Sequence, residues 1–151
     1  MEFSAHARAR SRRLAMQALY QWDLSGTDLA EIRRQFAEAE GFDRADRDYF
    51  VDLLKSVPAR CDAIDRELAE YLDRPMGQVD PVERAVLRIA AYELLYRIDV
   101  PYRVILNEAI TLTRKFGAEQ AHAFVNGVLD KLANKHRPDE YSRKPQQVNG
   151  L

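Results

Sequence analysis

The stretch that most narrows what this chain can fold into is residues 80–97. Asp80-Pro81-Val82-Glu83 reads as a helix start. Asp80 can cap, Pro81 suits the first helical position, and Glu83 completes a capping-box-like arrangement. The helix that follows, about 81–97, is apolar on nearly every side: Val82, Ala85, Val86, Leu87, Ile89, Ala90, Tyr92, Leu94 and Leu95. A helix without a polar face must be covered all round, so this one belongs at the centre of a shell of other elements. Glu93 interrupts the run, and Arg97 four residues on is its expected partner.

The rest of the chain shows helical periodicity and no convincing strand. A first helix is expected from about Ala7 to Asp23, ending at Ser25-Gly26. A second follows Thr27 as N-cap, with Leu29, Ile32, Phe36 and Ala39 as its stripe, and ends near Gly41. Residues 44–72 carry a long helical pattern broken by Pro58, which predicts two helices or a kink. Pro101 opens a helix that stops at Gly117, and a last one runs from about Glu119 to Asn134. Beyond it the chain is polar, with Pro138 and Pro145, and reads as a loose tail. The expectation is an all-α, compact bundle of about seven helices, with one domain over 1–134 and a flexible tail over 135–151.

Composition removes several classes of function. At 151 residues and 46% hydrophobic, the chain can bury a sizeable core. No apolar run approaches the roughly 20 residues of a membrane span, and no apolar stretch follows the N-terminal arginines as in a secretory signal. Cys61 is the only cysteine, which excludes disulfide frameworks and cysteine-based zinc sites and points to the cytoplasm. His6, His122 and His136 are scattered, with no spaced set of metal ligands, and no glycine-rich phosphate loop is present. Cys61 has no activating histidine nearby in sequence and reads as a buried, inert thiol. The expectation is a non-enzymatic protein with no catalytic residues, no metal and no cofactor.

The net charge of −1 says nothing by itself about nucleic acid, but its distribution does. Residues 1–13 carry Arg8, Arg10, Arg12 and Arg13 against Glu2, a net of +3. Residues 135–151 carry Lys135, Arg137, Arg143 and Lys144 against Asp139 and Glu140, a net of +2, which leaves −6 between. Basic ends on an acidic body can steer a polyanion. At 100° per residue the first helix divides into two faces. Leu14, Ala15, Ala18, Leu19 and Trp22 gather on one arc; Arg10, Arg13, Gln17 and Tyr20 gather opposite. The arginines alone read as a solvated face. A solvent-facing tyrosine beside guanidiniums is equally a place where an unstacked base can lie while phosphates are neutralised. Both readings stay open on these residues. In the last helix Phe124 falls off the edge of the stripe, beside Gln120 and Lys131, and reads as peripheral core. Phe116 shares an arc with Ile105, Ala109 and Leu112 and reads as core.

Several longer runs carry a resemblance. Ala9-Arg10 followed by Ala18-Leu19-Tyr20-Gln21-Trp22 resembles the opening of the NusB family of antitermination factors. Residues 82–94, from Val82-Glu83-Arg84-Ala85 to Tyr92-Glu93-Leu94, resemble its central helix. Asp99-Val100-Pro101-Tyr102, Ile105-Leu106-Asn107-Glu108-Ala109-Ile110, Phe116-Gly117-Ala118-Glu119 and residues 124–130 follow in the family's order. The resemblance implies two small helical subdomains. It also implies binding of boxA-type single-stranded RNA from ribosomal RNA operons, together with the small-subunit ribosomal protein that acts as NusE. The assembly would join the antitermination complex on RNA polymerase and help it read through terminators. Carried over position by position, the RNA-contacting arginines are Arg8, Arg10, Arg12 and Arg13, and the RNA-facing aromatics are Tyr20, Tyr71, Phe116 and Phe124. Gln17 and Lys131 join the expected RNA face, and Glu83 is the acidic position near the protein partner. Gln120 stands where relatives are often acidic, so less repulsion of phosphate is expected there.

Two other readings compete. NusB-like domains occur fused to ribosomal RNA cytosine methyltransferases, but these residues hold no α/β methyltransferase pattern. A helical scaffold without an RNA role, such as a homodimer joined through the same face, is the other.

Overall fold

The computed structural model describes residues 4–143. Among them there are eight α-helices and no strand. They are α1 (Ala5–Ser25), α2 (Leu29–Ala37), α3 (Arg47–Ala59), α4 (Cys61–Ala69), α5 (Pro81–Tyr96), α6 (Tyr102–Phe116), α7 (Ala121–His136) and α8 (Pro138–Ser142). Single 3-10 turns lie at Phe42–Arg44 and Met76–Gln78.

Local chemistry accounts for most of the boundaries. The Asp80 carboxylate accepts from the Val82 N–H at 3.0 Å, with Pro81 in the first turn of α5. In α1 the Ser4 hydroxyl accepts from the Ala7 N–H at 3.1 Å, so the helix starts two residues before the expected Ala7. It closes on Gly26, whose φ of 68° lets its N–H return to the Trp22 carbonyl. Thr27 is not the cap of α2. Its hydroxyl is engaged with Ser25, and Asp28 takes the N-cap position. Pro58 sits in the last turn of α3, where only one turn loses its hydrogen bond, and the chain reopens at Cys61 as a separate helix.

The sequence placed α5 at the centre, and α1, α3, α4, α6 and α7 all pack on it. α1, α2 and α3 form one packing group, and α4, α6 and α7 the other; α5 joins them along its contact with α1. One continuous apolar core runs through both groups and includes Phe50, Leu53, Leu87, Leu94, Ile105 and Leu129.

Two polar features in this core differ from expectation. Glu93 is only 1% exposed and does not pair with Arg97. It receives the Arg12 guanidinium, with Nη2 to Oε2 at 2.9 Å, and the Tyr49 hydroxyl. Arg97 turns instead to Asp52 and Asp99, at 3.0 and 2.9 Å. An intrahelical pair near solvent thus gives way to a buried one tying α1, α3 and α5 together. Glu83, expected to cap its own helix, accepts from the Ala118 N–H across the fold.

The chain from Lys135 to Ser142 is not loose. α7 continues to His136, and α8 follows. Arg137 is 4% exposed and donates to the carbonyls of Glu93, Leu94, Arg97 and Val100. They lie at the end of α5 and in the turn after it, where the Glu93 and Arg97 carbonyls also accept the N–H of Arg97 and Val100, and Arg137 adds the donor that the Leu94 and Val100 carbonyls need. The Glu140 carboxylate then accepts from the Tyr102 N–H at 3.1 Å, where Pro101 leaves the start of α6 without a side-chain cap. Residues 144–151, with Lys144, Pro145 and the end of the expected tail, lie outside the described residues, as do residues 1–3.

Candidate nucleic-acid interface

Packing of α1 on α3 and α5 buries Leu14, Ala15, Ala18 and Leu19. The opposite side carries Arg10, Arg13, Gln17 and Tyr20 at spacings of three and four, which is one continuous stripe. Gln17 is exposed, Tyr20 is 38% exposed, and Arg10 and Arg13 are half-buried.

The four arginines do not act alike. Arg12 is 3% exposed and is committed to Glu93, with Glu108 at 3.9 Å; it is a core ion pair and not a phosphate ligand. Arg8 leans the same way. Its Nε lies 3.5 Å from Asp46, its Nη1 3.8 Å from Asp99, and its guanidinium 4.4 Å from the centre of the Tyr49 ring. Both arginines are spoken for because positions 8 and 12 share the edge of α1 that meets Asp46 at the start of α3, Glu93 of α5 and Asp99 just after it. Among the described residues, Arg10 and Arg13 have no ion-pair partner, and the Arg13 Nε is buried without an acceptor.

A second group gathers at the corner between α6 and α7. Phe116, read as core from its arc, is 37% exposed because it stands in the last turn of α6, beyond the helices that cover the rest of that arc. Gln120 follows at φ 75°, a left-handed backbone uncommon outside glycine, and sits at the N-terminus of α7. Phe124 is half-buried against the core, with the Arg74 guanidinium 4.9 Å from its ring centre. Lys131, seven residues on, is exposed on the same side of α7. Tyr71 is half-buried against the core. Glu83 lies beneath the corner, 6% exposed, with Oε2 3.4 Å from the Ala118 nitrogen. Burial pushes its carboxyl up from its ordinary value, against the downward pull of that N–H.

Two residues outside the sequence-derived set belong here. Arg74 covers Phe124, and nothing in its spacing signals that contact. Lys115 faces α1 across a cleft of about 210 Å³ that Arg10 and Arg13 also line. Its basic position beside Phe116 is the one signal the sequence offered. Through Lys115 and Phe116, α6 joins the α1 stripe to the corner. No group of three or more potential metal ligands occurs among the described residues, and no described helix is long and apolar enough to cross a membrane.

Comparison with known proteins identifies the family and the fold. The model of the NusB family matches residues 9–134. A transcription antitermination protein NusB from Idiomarina loihiensis is 48% identical over 132 residues, covering 87% of this chain and 95% of its own length. The structure of T. maritima NusB superposes with a TM-score of 0.78 at 29% identity, covering 95% of this chain and all of that one. A chain from a crystal structure of antitermination factors NusB and NusE in complex with dsRNA superposes with a TM-score of 0.77 at 26% identity, covering 86% of this chain and 98% of that one.

Proposed function

The chain belongs to the NusB family, and from that premise we propose that it is an RNA-binding transcription antitermination factor. It takes boxA-type single-stranded RNA of ribosomal RNA operons together with the small-subunit ribosomal protein acting as NusE. The assembly helps RNA polymerase read through terminators. The relative solved with NusE and RNA supports this pairing of partners. The chain acts by binding rather than catalysis, in the cytoplasm, as one domain in which α8 is an integral part.

The observation that carries the reading is the sorting of the basic helix. Arg8 and Arg12 are neutralised by acids, whereas Arg10, Arg13, Gln17 and Tyr20 form an outward stripe with unpaired cations beside an exposed ring. The guanidiniums supply counter-charge for phosphates, and Tyr20 stacks a base. Phe116 and Phe124 extend the stacking surface, with Tyr71, Gln120 and Lys131 around it, and Glu83 sets the turn that faces the protein partner. Fluorescence anisotropy on a boxA-like RNA and a scrambled control, with and without the ribosomal protein, tests this. Tighter binding of the boxA-like RNA with the partner present is expected. Equal affinity for both RNAs in its presence would sink the specific-adaptor reading.

A further inference from the structure

The geometry points to a docking groove between α2 and α3 for an acidic amphipathic segment of a partner protein, which sets apolar side chains on the floor and carboxylates against Arg33 and Lys55. No residue of the α1 stripe or of the α6–α7 corner lines this groove, so it is a second surface beyond the proposed RNA face. Both helices build it from the same pattern. In α2, Leu29 is followed four residues on by Arg33; in α3, Val51 is followed four residues on by Lys55. That spacing puts an apolar residue and a cation on the same side of each helix. Where α2 packs on α3, these two sides line one groove of about 190 Å³, room for a large apolar side chain.

Three observations select the occupant. First, the floor is apolar and within reach. Leu29 and Val51 pack on the core yet are only half-buried, Leu54 closes the bottom at 3% exposure, and Ala30 lies open at the rim. Second, the rim carries cations that nothing neutralises. Arg33 and Lys55 are exposed and have no ion-pair partner among the described residues. Acids close by in sequence are engaged elsewhere: Glu31 with Arg34, and Asp52 with Ser56, Tyr92 and Arg97. Third, no carboxylate lines the groove, although residues 14–134 carry a net charge of −6. A basic, apolar groove on an acidic body complements a segment of the opposite kind, with apolar anchors between acidic flanks. The groove is open to solvent rather than enclosed. It therefore suits side chains inserted from a partner's helix more than a small ligand engulfed whole.

The test is an NMR titration of the full chain with three synthetic helical peptides. One carries leucines four residues apart between glutamates, one has those glutamates changed to lysine, and one has the leucines changed to serine. The first should shift amide signals of α2 and α3 and leave those of the α6–α7 corner in place; the other two should bind far more weakly. Arg33→Gln and Lys55→Gln, both at exposed positions, should each weaken the glutamate peptide by roughly fivefold, the worth of a good exposed ion pair. Both variants should keep wild-type RNA affinity by fluorescence anisotropy. Equal binding of the glutamate and lysine peptides, or shifts outside α2 and α3, would overturn the proposal. Binding of dodecanoate but not of the glutamate peptide would assign the groove to a lipid-like ligand and overturn it. A dimer in light scattering that Arg33→Gln dissociates would assign it to a second copy of the chain, with the same consequence. Loss of RNA affinity in either variant would make the groove part of the RNA surface and overturn it too.

Discussion

Arg12 and Arg13 leave α1 about 100° apart, and that angle separates a core ion pair from a surface cation. Breaking a buried pair strands the remaining charge in a medium that cannot solvate it. Arg12→Ala should therefore cost about 3–5 kcal/mol by urea unfolding. Arg13→Ala removes no protein partner and should leave stability within about 0.5 kcal/mol while weakening RNA binding. Similar unfolding midpoints for the two variants would refute this division of the basic run. Tyr20→Ala should cost about 1–3 kcal/mol of RNA affinity, the worth of one stacked base, with the melting temperature nearly unchanged. A large loss of stability in that variant would make Tyr20 a packing residue and remove it from the RNA face. The stripe of Arg10, Arg13, Gln17 and Tyr20 was legible because helical geometry alone puts those residues on one side. The commitment of Arg12 was not, since its partner Glu93 lies 81 residues away.

At the scale of elements, Arg137 is a principal tie of α8, beside Glu140 and Tyr141, and Glu83 is a side-chain tie of the α6–α7 turn. Arg137 fills the carbonyl end of α5, and a buried acceptor left without a donor, as the Leu94 carbonyl would be, costs about 1–3 kcal/mol. Arg137→Ala, and equally a chain truncated after Asn134, should lose at least about 2 kcal/mol of stability, beyond the loss expected from removing a solvated tail. Full stability in the truncated chain would restore the loose-tail reading. Prolines and polar residues suggested that reading, and no local pattern reveals that Arg137 has a helix end to cap. Glu83 governs the turn. Its carboxyl sits above its ordinary value in the folded chain, so the native state holds that proton more tightly than the unfolded state does. The resulting stabilisation is fully present below the ordinary carboxyl pKa of about 4.3 and fades as pH rises through the elevated value. The stability advantage of wild type over Glu83→Gln should shrink across that window in urea titrations at a series of pH values. A difference independent of pH would mean that Glu83 titrates alike in both states.

For the whole molecule, RNA and the ribosomal protein meet one continuous surface in the proposed function, so each should strengthen the other's binding by the same factor. Measuring RNA affinity with and without the protein, and protein affinity with and without RNA, closes a thermodynamic cycle. Clearly unequal factors would show that another equilibrium, such as self-association through the RNA face, is coupled in. Light scattering with added RNA separates that case, because RNA would then dissociate the dimer.

What the sequence determined by itself was the helical class, the central place of α5, the break near Pro58 and the outward stripe of α1. All of these follow from periodicity, caps and proline within one segment, information that neighbours in the chain share. What only the tertiary structure decided were the relations across the fold. It turned Glu93 from Arg97 to Arg12, moved Glu83 from its own helix to the α6–α7 turn, exposed Phe116, docked α8 and set Lys115 opposite Arg13. The reason is physical. A buried charge or an unpaired helix end accepts whichever partner the packed helices bring within hydrogen-bonding distance, and that distance is not written in any local pattern.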